Sequence, residues 1–120
     1  MTAKEIRTNR IVLVDSHDQE RGVIGFLDND ELISIDLFGK NGGIASLSVD
    51  DTGIASLRLD GPKGNTGVAI GVKDEEGGGG AWFCDREGRP NIMLGHDESG
   101  RPYLKLYLDG ELRNLVDGLK

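Results

Sequence analysis

Three short stretches of the chain bring together side chains that could do chemistry. Asp15, His17 and Asp18 lie within four positions, a spacing that could serve an acid/base pair or part of a metal site. They directly follow the apolar run Ile11 to Val14, where a strand is expected to turn, and polar turn residues in water explain them as well. His96 stands beside Asp97, with no third ligand at metal-site spacing and no nucleophile that would complete a triad. Asp28, Asp30 and Glu31 concentrate carboxylate oxygens beside Asn29, a composition suited to Ca²⁺. The twelve-residue loop of an EF-hand is absent, as is the glycine-rich nonapeptide ladder of calcium-binding β-rolls, so solubilising turn charges compete with that reading.

The remaining candidates are weaker as chemistry. Cys84 is the only cysteine, which excludes an internal disulfide, and its neighbours match no catalytic-cysteine signature. No Gly-x-Ser-x-Gly element occurs. Gly61 to Gly67 is glycine-rich but lacks the Gly-Lys-Ser/Thr ending of a phosphate loop, so it reads as a turn. Trp82, the single tryptophan, could stack on a sugar ring as a ligand-binding side chain, or fill a core between sheets or subunits. Catalysis thus has no nominee, no cofactor is implied beyond the Ca²⁺ alternative, and the expectation is a protein that is not an enzyme.

Composition narrows the partners. A formal charge of -7 opposes a general phosphate-binding surface, so nucleic acid is not an expected partner. The N-terminal segment has no apolar core of a signal peptide, and Ile11 to Val14 is too short to span a bilayer. Cytoplasmic synthesis without a signal peptide and no membrane insertion are expected, and residence in a virion or in a particle released by lysis is compatible with both. An apolar fraction of 37% and six aromatic residues leave little material for a large private core.

The elements that would carry these residues show themselves as a repeat. Asp85-Arg86-Glu87-Gly88-Arg89-Pro90 recurs twelve residues later as Asp97-Glu98-Ser99-Gly100-Arg101-Pro102, and Asp74 with Gly77 and Asp50 with Gly53 extend the Asp-x-x-Gly pattern towards the N-terminus. Asp at the first position of a turn bonds the backbone two residues on, and Gly at the fourth supplies positive φ. Between these turns the apolar residues alternate: Ala45, Leu47, Val49; Ala55, Leu57, Leu59; Val68, Ile70, Val72; Leu104, Leu106, Leu108. Alternation of period two marks strands with one dry face and one wet face, and the glycine spacing leaves no room for long helices. Residues 1–120 therefore form a single β-repeat domain, with repeats over about 9–117 and about ten short strands. Strands at Ile11 to Val14 and Leu32 to Phe38 carry apolar residues on both faces.

The alternation closed by Asp-x-x-Gly, twice followed by Arg-Pro at 85–90 and 97–102, resembles the short β-repeats of bacterial repeat proteins and the β-structured shafts of phage tail fibres and tail spikes. The resemblance covers 74–109 well and implies an intertwined homotrimer acting as a rigid spacer or a receptor-binding needle. The residues lead to association by a separate route, since one-sided strands cannot leave a wide apolar face in water. The expected protein is all-β and homo-oligomeric, preferably a trimer, with a single-chain solenoid, barrel or sandwich as the alternative. The function expected is a structural spacer or attachment element, or else a β module that binds glycans or Ca²⁺, with a surface glycan or another protein as the partner.

Overall fold

The computed structural model describes residues 4–27, 29–72, 78–97 and 99–116. They form ten strands: β1 Arg10–Val14, β2 Glu20–Leu27, β3 Leu32–Phe38, β4 Ile44–Asp50, β5 Ala55–Asp60, β6 Thr66–Val72, β7 Gly79–Cys84, β8 Pro90–His96, β9 Pro102–Leu108 and β10 Glu111–Asn114. All ten belong to one antiparallel sheet whose spatial order is the chain order. No α-helix occurs among the described residues. The sheet is open, because each strand pairs only with its neighbours in sequence, and β1 and β10 do not meet. The described residues therefore form neither a closed barrel nor a two-sheet sandwich, and they do not coil into the stacked rungs of a solenoid.

The turns follow from their residues. Gly53, Gly88 and Gly100 donate their N–H to the carbonyls of Asp50, Asp85 and Asp97 at 2.9 to 3.1 Å. Each of these aspartates donates its own N–H to the carbonyl four residues on. Its Oδ1 accepts two more N–H groups, as Asp85 does from Glu87 and Arg89 at 3.0 Å. The three glycines sit at φ 89, 81 and 83°, where a Cβ is strained. The same backbone pattern closes 15–19, 39–43 and 61–65, with Asp18 at φ 60° taking the glycine position in the first. The shared pattern at 39–43 and 61–65 escapes an Asp-based reading because Gly39 and Gly61 stand where Asp is expected; the signal they retain is the glycine three residues on, Gly42 and Gly64. Asp109-Gly110, with both residues at positive φ, makes the two-residue hairpin of β9–β10. Asp74 and Gly77 lie outside the described residues.

Register sorts the strands into two faces. The runs 45/47/49, 55/57/59 and 68/70 oppose one another directly, and so do Leu94–Leu104 and Ile92–Leu106. On the other face a row of small residues crosses the sheet: Gly25, Ser34, Ser48, Ser56, Gly71, Gly80 and Gly95. A Cβ at Gly71 would lie 2.5 Å from the Ala55 carbonyl oxygen, and one at Gly25 would lie 2.6 Å from that of Asn9. At these crossings the neighbouring backbone comes so close on the small-residue face that a side chain there has no room. The chain is elongated, 59 × 34 × 30 Å, with a radius of gyration of 18.2 Å where a compact 120-residue domain has roughly 14 Å.

Two glycine substitutions separate the two roles. A Cβ at Gly100 meets nothing within 4 Å, so only the backbone conformation resists it. Gly100→Val is expected to cost more than about 1 kcal/mol in urea unfolding, and Gly100→Asn distinctly less, because Asn tolerates the left-handed region. Gly71→Ala is also expected to cost more than about 1 kcal/mol, through overpacking against backbone. Parent-like unfolding of Gly100→Val would refute the turn assignment, and parent-like Gly71→Ala the close approach.

Candidate functional site

The largest uncommitted surface is the apolar face. Its central row runs through Ile24, Ile35, Leu47, Leu57, Ile70, Ala81, Leu94 and Leu104, each opposite the next. A second row alongside contains Leu37, Ala45, Leu59, Val68, Phe83, Ile92 and Leu106. From β2 to β9 neither row contains an Asp, Glu, Lys or Arg. Leu47 is 49% exposed and Leu37 48%, while Val23, on the opposite face, is the only buried hydrophobic residue among those described. The accessible surface is 9241 Å². A folded monomer of 12.9 kDa is expected to show roughly 6,300 Å².

The polar face holds most of the remaining side-chain chemistry. Asp36 accepts hydrogen bonds from Ser34 Oγ at 3.0 Å and Ser46 Oγ at 2.6 Å. Ser34 is only 3% exposed, so this carboxylate satisfies a buried hydroxyl. Arg58 Nε lies 3.2 Å from Asp60 Oδ2. Towards the C-terminus the same face carries Trp82 between Ala69 and Met93, then Lys105. Trp82 is half-buried and lies on the face opposite the apolar rows, so it contributes nothing to a core built on them. Tyr103 lies against Gly95 and Gly80, where a Cβ on Gly95 would stand 3.0 Å from its hydroxyl, and Lys105 Nζ sits 4.7 Å from its ring centroid. Gly80 serves close approach, since a Cβ there would stand 3.3 Å from the Leu94 carbonyl oxygen.

The proposed ligands and turn residues are placed as follows. Asp15 accepts N–H bonds from His17 at 2.8 Å and Gln19 at 3.2 Å and faces Arg21, so its carboxylate closes a turn. Asp30 takes part in the β2–β3 turn at φ 68°, Glu31 is exposed, and Asp28 lies outside the described residues. No three His, Cys, Asp or Glu side chains converge among the described residues. Burial pushes the Cys84 thiol upward, helped by the charge of Asp85. Two open cavities are flanked by the Asp85 turn. One of about 510 Å³ lies between Pro62, Lys63, Asn65 and Arg86, where Asn65 Nδ2 donates to the Arg86 carbonyl at 2.8 Å. The other, about 420 Å³, is lined by Asp85, Arg89, Pro90, Asn91 and Tyr107. Against known proteins, the chain matches no family model, no curated protein and no solved structure.

The turn aspartates share an electrostatic property. Hydrogen bonds to the charged carboxylate hold Asp15, Asp50, Asp85 and Asp97 below the ordinary value. The leading donors are the His17 N–H for Asp15, the Thr52 hydroxyl for Asp50, the Arg89 N–H for Asp85 and the Ser99 hydroxyl for Asp97. A carboxyl depressed in the folded state takes up its proton first when unfolded. Its contribution is therefore intact above the ordinary value of 3.8 and disappears as pH falls through the folded one. The unfolding midpoint is expected to be flat down to about pH 5 and to fall below about pH 4. Asp85→Asn and Asp97→Asn, which keep an acceptor but no charge, should flatten that acid slope when melting is followed by circular dichroism. A slope equal to the parent's in both variants would show that these turns are not what acid attacks.

Proposed function

We propose that the protein is a non-enzymatic structural or interaction element, an oligomeric β-repeat spacer or attachment module whose copies cover one another's apolar faces. The observation that carries this reading is the uncharged apolar surface running from β2 to β9 with nothing of the described chain over it. The excess of accessible surface over a compact monomer, roughly 2,900 Å², is of the size obligate subunits bury between them. The sheet is open, with β1 and β10 at its edges, so no second layer among the described residues lies over this surface. A net charge of -7 would push copies apart through their turns and polar faces, and the neutral face is where like-charged chains can meet.

Three copies are favoured by strand width. Seven-residue strands such as β3, β4, β8 and β9 span roughly 23 Å at ~3.3 Å per residue. Three sheets of that width, set as the sides of a prism, stand roughly 7 Å from a common axis, so one layer of Leu, Ile and Val from each can meet there. The resemblance to β-structured shaft repeats supports the same arrangement.

Light scattering at micromolar concentration tests the reading. A trimer has three times 12.9 kDa, about 39 kDa. Leu106→Asp would place a charge among apolar neighbours, where it is very costly, and dissociation and unfolding are expected to occur together. A parent protein that stays folded as a 12.9 kDa monomer overturns the proposal.

A further inference from the structure

Asn91 occupies an irregular place in the sheet. Cys84 opposes Pro90 and Phe83 opposes Ile92, so Asn91 is the extra residue of a β-bulge on β8. Bulges re-aim a side chain and occur beside binding sites more often than elsewhere. The register of β8 with β9, stepped on from Ile92–Leu106, brings Asn91 next to Tyr107 on the polar face. These two residues, with Asp85, Arg89 and Pro90, line the cavity of about 420 Å³, a volume within the range of small-ligand sites.

Two of the groups there, Asn91 and Tyr107, are unspent. Tyr107 is 52% exposed, whereas Tyr103, four residues earlier, is used against the glycine row. Neither the Asn91 amide nor the Tyr107 hydroxyl has a hydrogen-bond partner among the described residues. Arg89 is neutralised by Asp85 at 3.1 Å and Glu87 at 3.5 Å, so the site is polar without being a strong anion trap. An open ring face beside a planar amide and a guanidinium, each offering adjacent hydrogen-bonding atoms, suits a neutral pyranose, which has an apolar C–H face and vicinal hydroxyls.

We propose that the bulge at Asn91, with Tyr107 and the Asp85–Arg89 pair, forms a subsite for a neutral hexose unit of a glycan. Presentation of this site outward rests on the reading that the apolar face is consumed by assembly. Several copies in one particle would then bind a multivalent glycan far more tightly than one site alone.

The test is titration of the full chain with cellohexaose, chitohexaose and maltohexaose, followed by amide chemical shifts and by light scattering on the same samples. At least one sugar is expected to cause saturable shifts centred on residues 89–91 and 107. Tyr107→Ala should weaken that binding about tenfold, the loss of one ring contact, while melting temperature and mass stay those of the parent. Asn91→Ala should weaken it too, whereas Lys63→Ala, in the neighbouring cavity, should not. No saturable shift with any of the three sugars, or unchanged binding by Tyr107→Ala, overturns the subsite. Mass reports on assembly separately: an oligomer that ignores the sugars removes only the subsite, and a folded monomer that binds them removes only the assembly.

Discussion

In an antiparallel meander every strand must keep its apolar residues on the same side as its neighbours, and the architecture depends on that phase. A slip of one residue would carry a strand's whole apolar set to the opposite face. Here the apolar positions are odd-numbered in β3, β4 and β5, even-numbered in β6, odd-numbered in β7 and even-numbered in β8 and β9. Each change of parity has to be absorbed by the connection. Three changes coincide with register shifts, at Leu13/Val14, Leu59/Asp60 and Phe83/Cys84, and each follows from one extra residue beyond a five-residue turn. The extra residues are Arg21, Gly67 and Asn91. Arg21 turns back to donate to the Phe38 carbonyl at 2.9 Å and to face Asp15, so that bulge also fastens two turns together.

The phase explains what could be read from residues alone. Alternation at 45/47/49, 55/57/59, 68/70/72 and 104/106/108 was enough to place strands and to say which side chains share a face, because period two has a single structural meaning when it recurs between turn residues. Asp-x-x-Gly was equally legible, since its hydrogen bonds are local. What was not legible was long-range in kind. Spacings of eleven and twelve look like noise in a repeat until the bulges show why both keep the same face dry. The small-residue row needs strand register before Gly25, Ser34, Ser48 and Gly71 can be seen as neighbours. Trp82 shows the limit most clearly: its type suits a core, and only its pairing with Ala69 and Met93 puts it on the face away from the apolar rows.

Charge is distributed to match these two faces. Aspartates at 15, 50, 85 and 97 spend their Oδ1 atoms on backbone N–H groups of their own turns, so part of the acidity of the chain is structural. At Asp15 and Asp97, two candidates for chemistry, Oδ1 is taken up by these turn bonds. Their depressed pKa makes both carboxylates poor bases near neutrality.

Turns that satisfy themselves make each hairpin a nearly independent unit, and the contacts of the fold run almost entirely between strands adjacent in sequence. Local pairing of this kind forms readily, because little loop entropy is lost before each contact is made. The hydrophobic term is different in kind, for the surface it acts on belongs to no pair of strands and is left half-exposed in the single chain. Hairpins thus fix shape and register, and they leave the common face half-exposed in the single chain. An element built this way gains length by adding strand-and-turn units without redesigning a core, so the demands that a compact domain places on its interior fall instead on the phase of its bulges and turns.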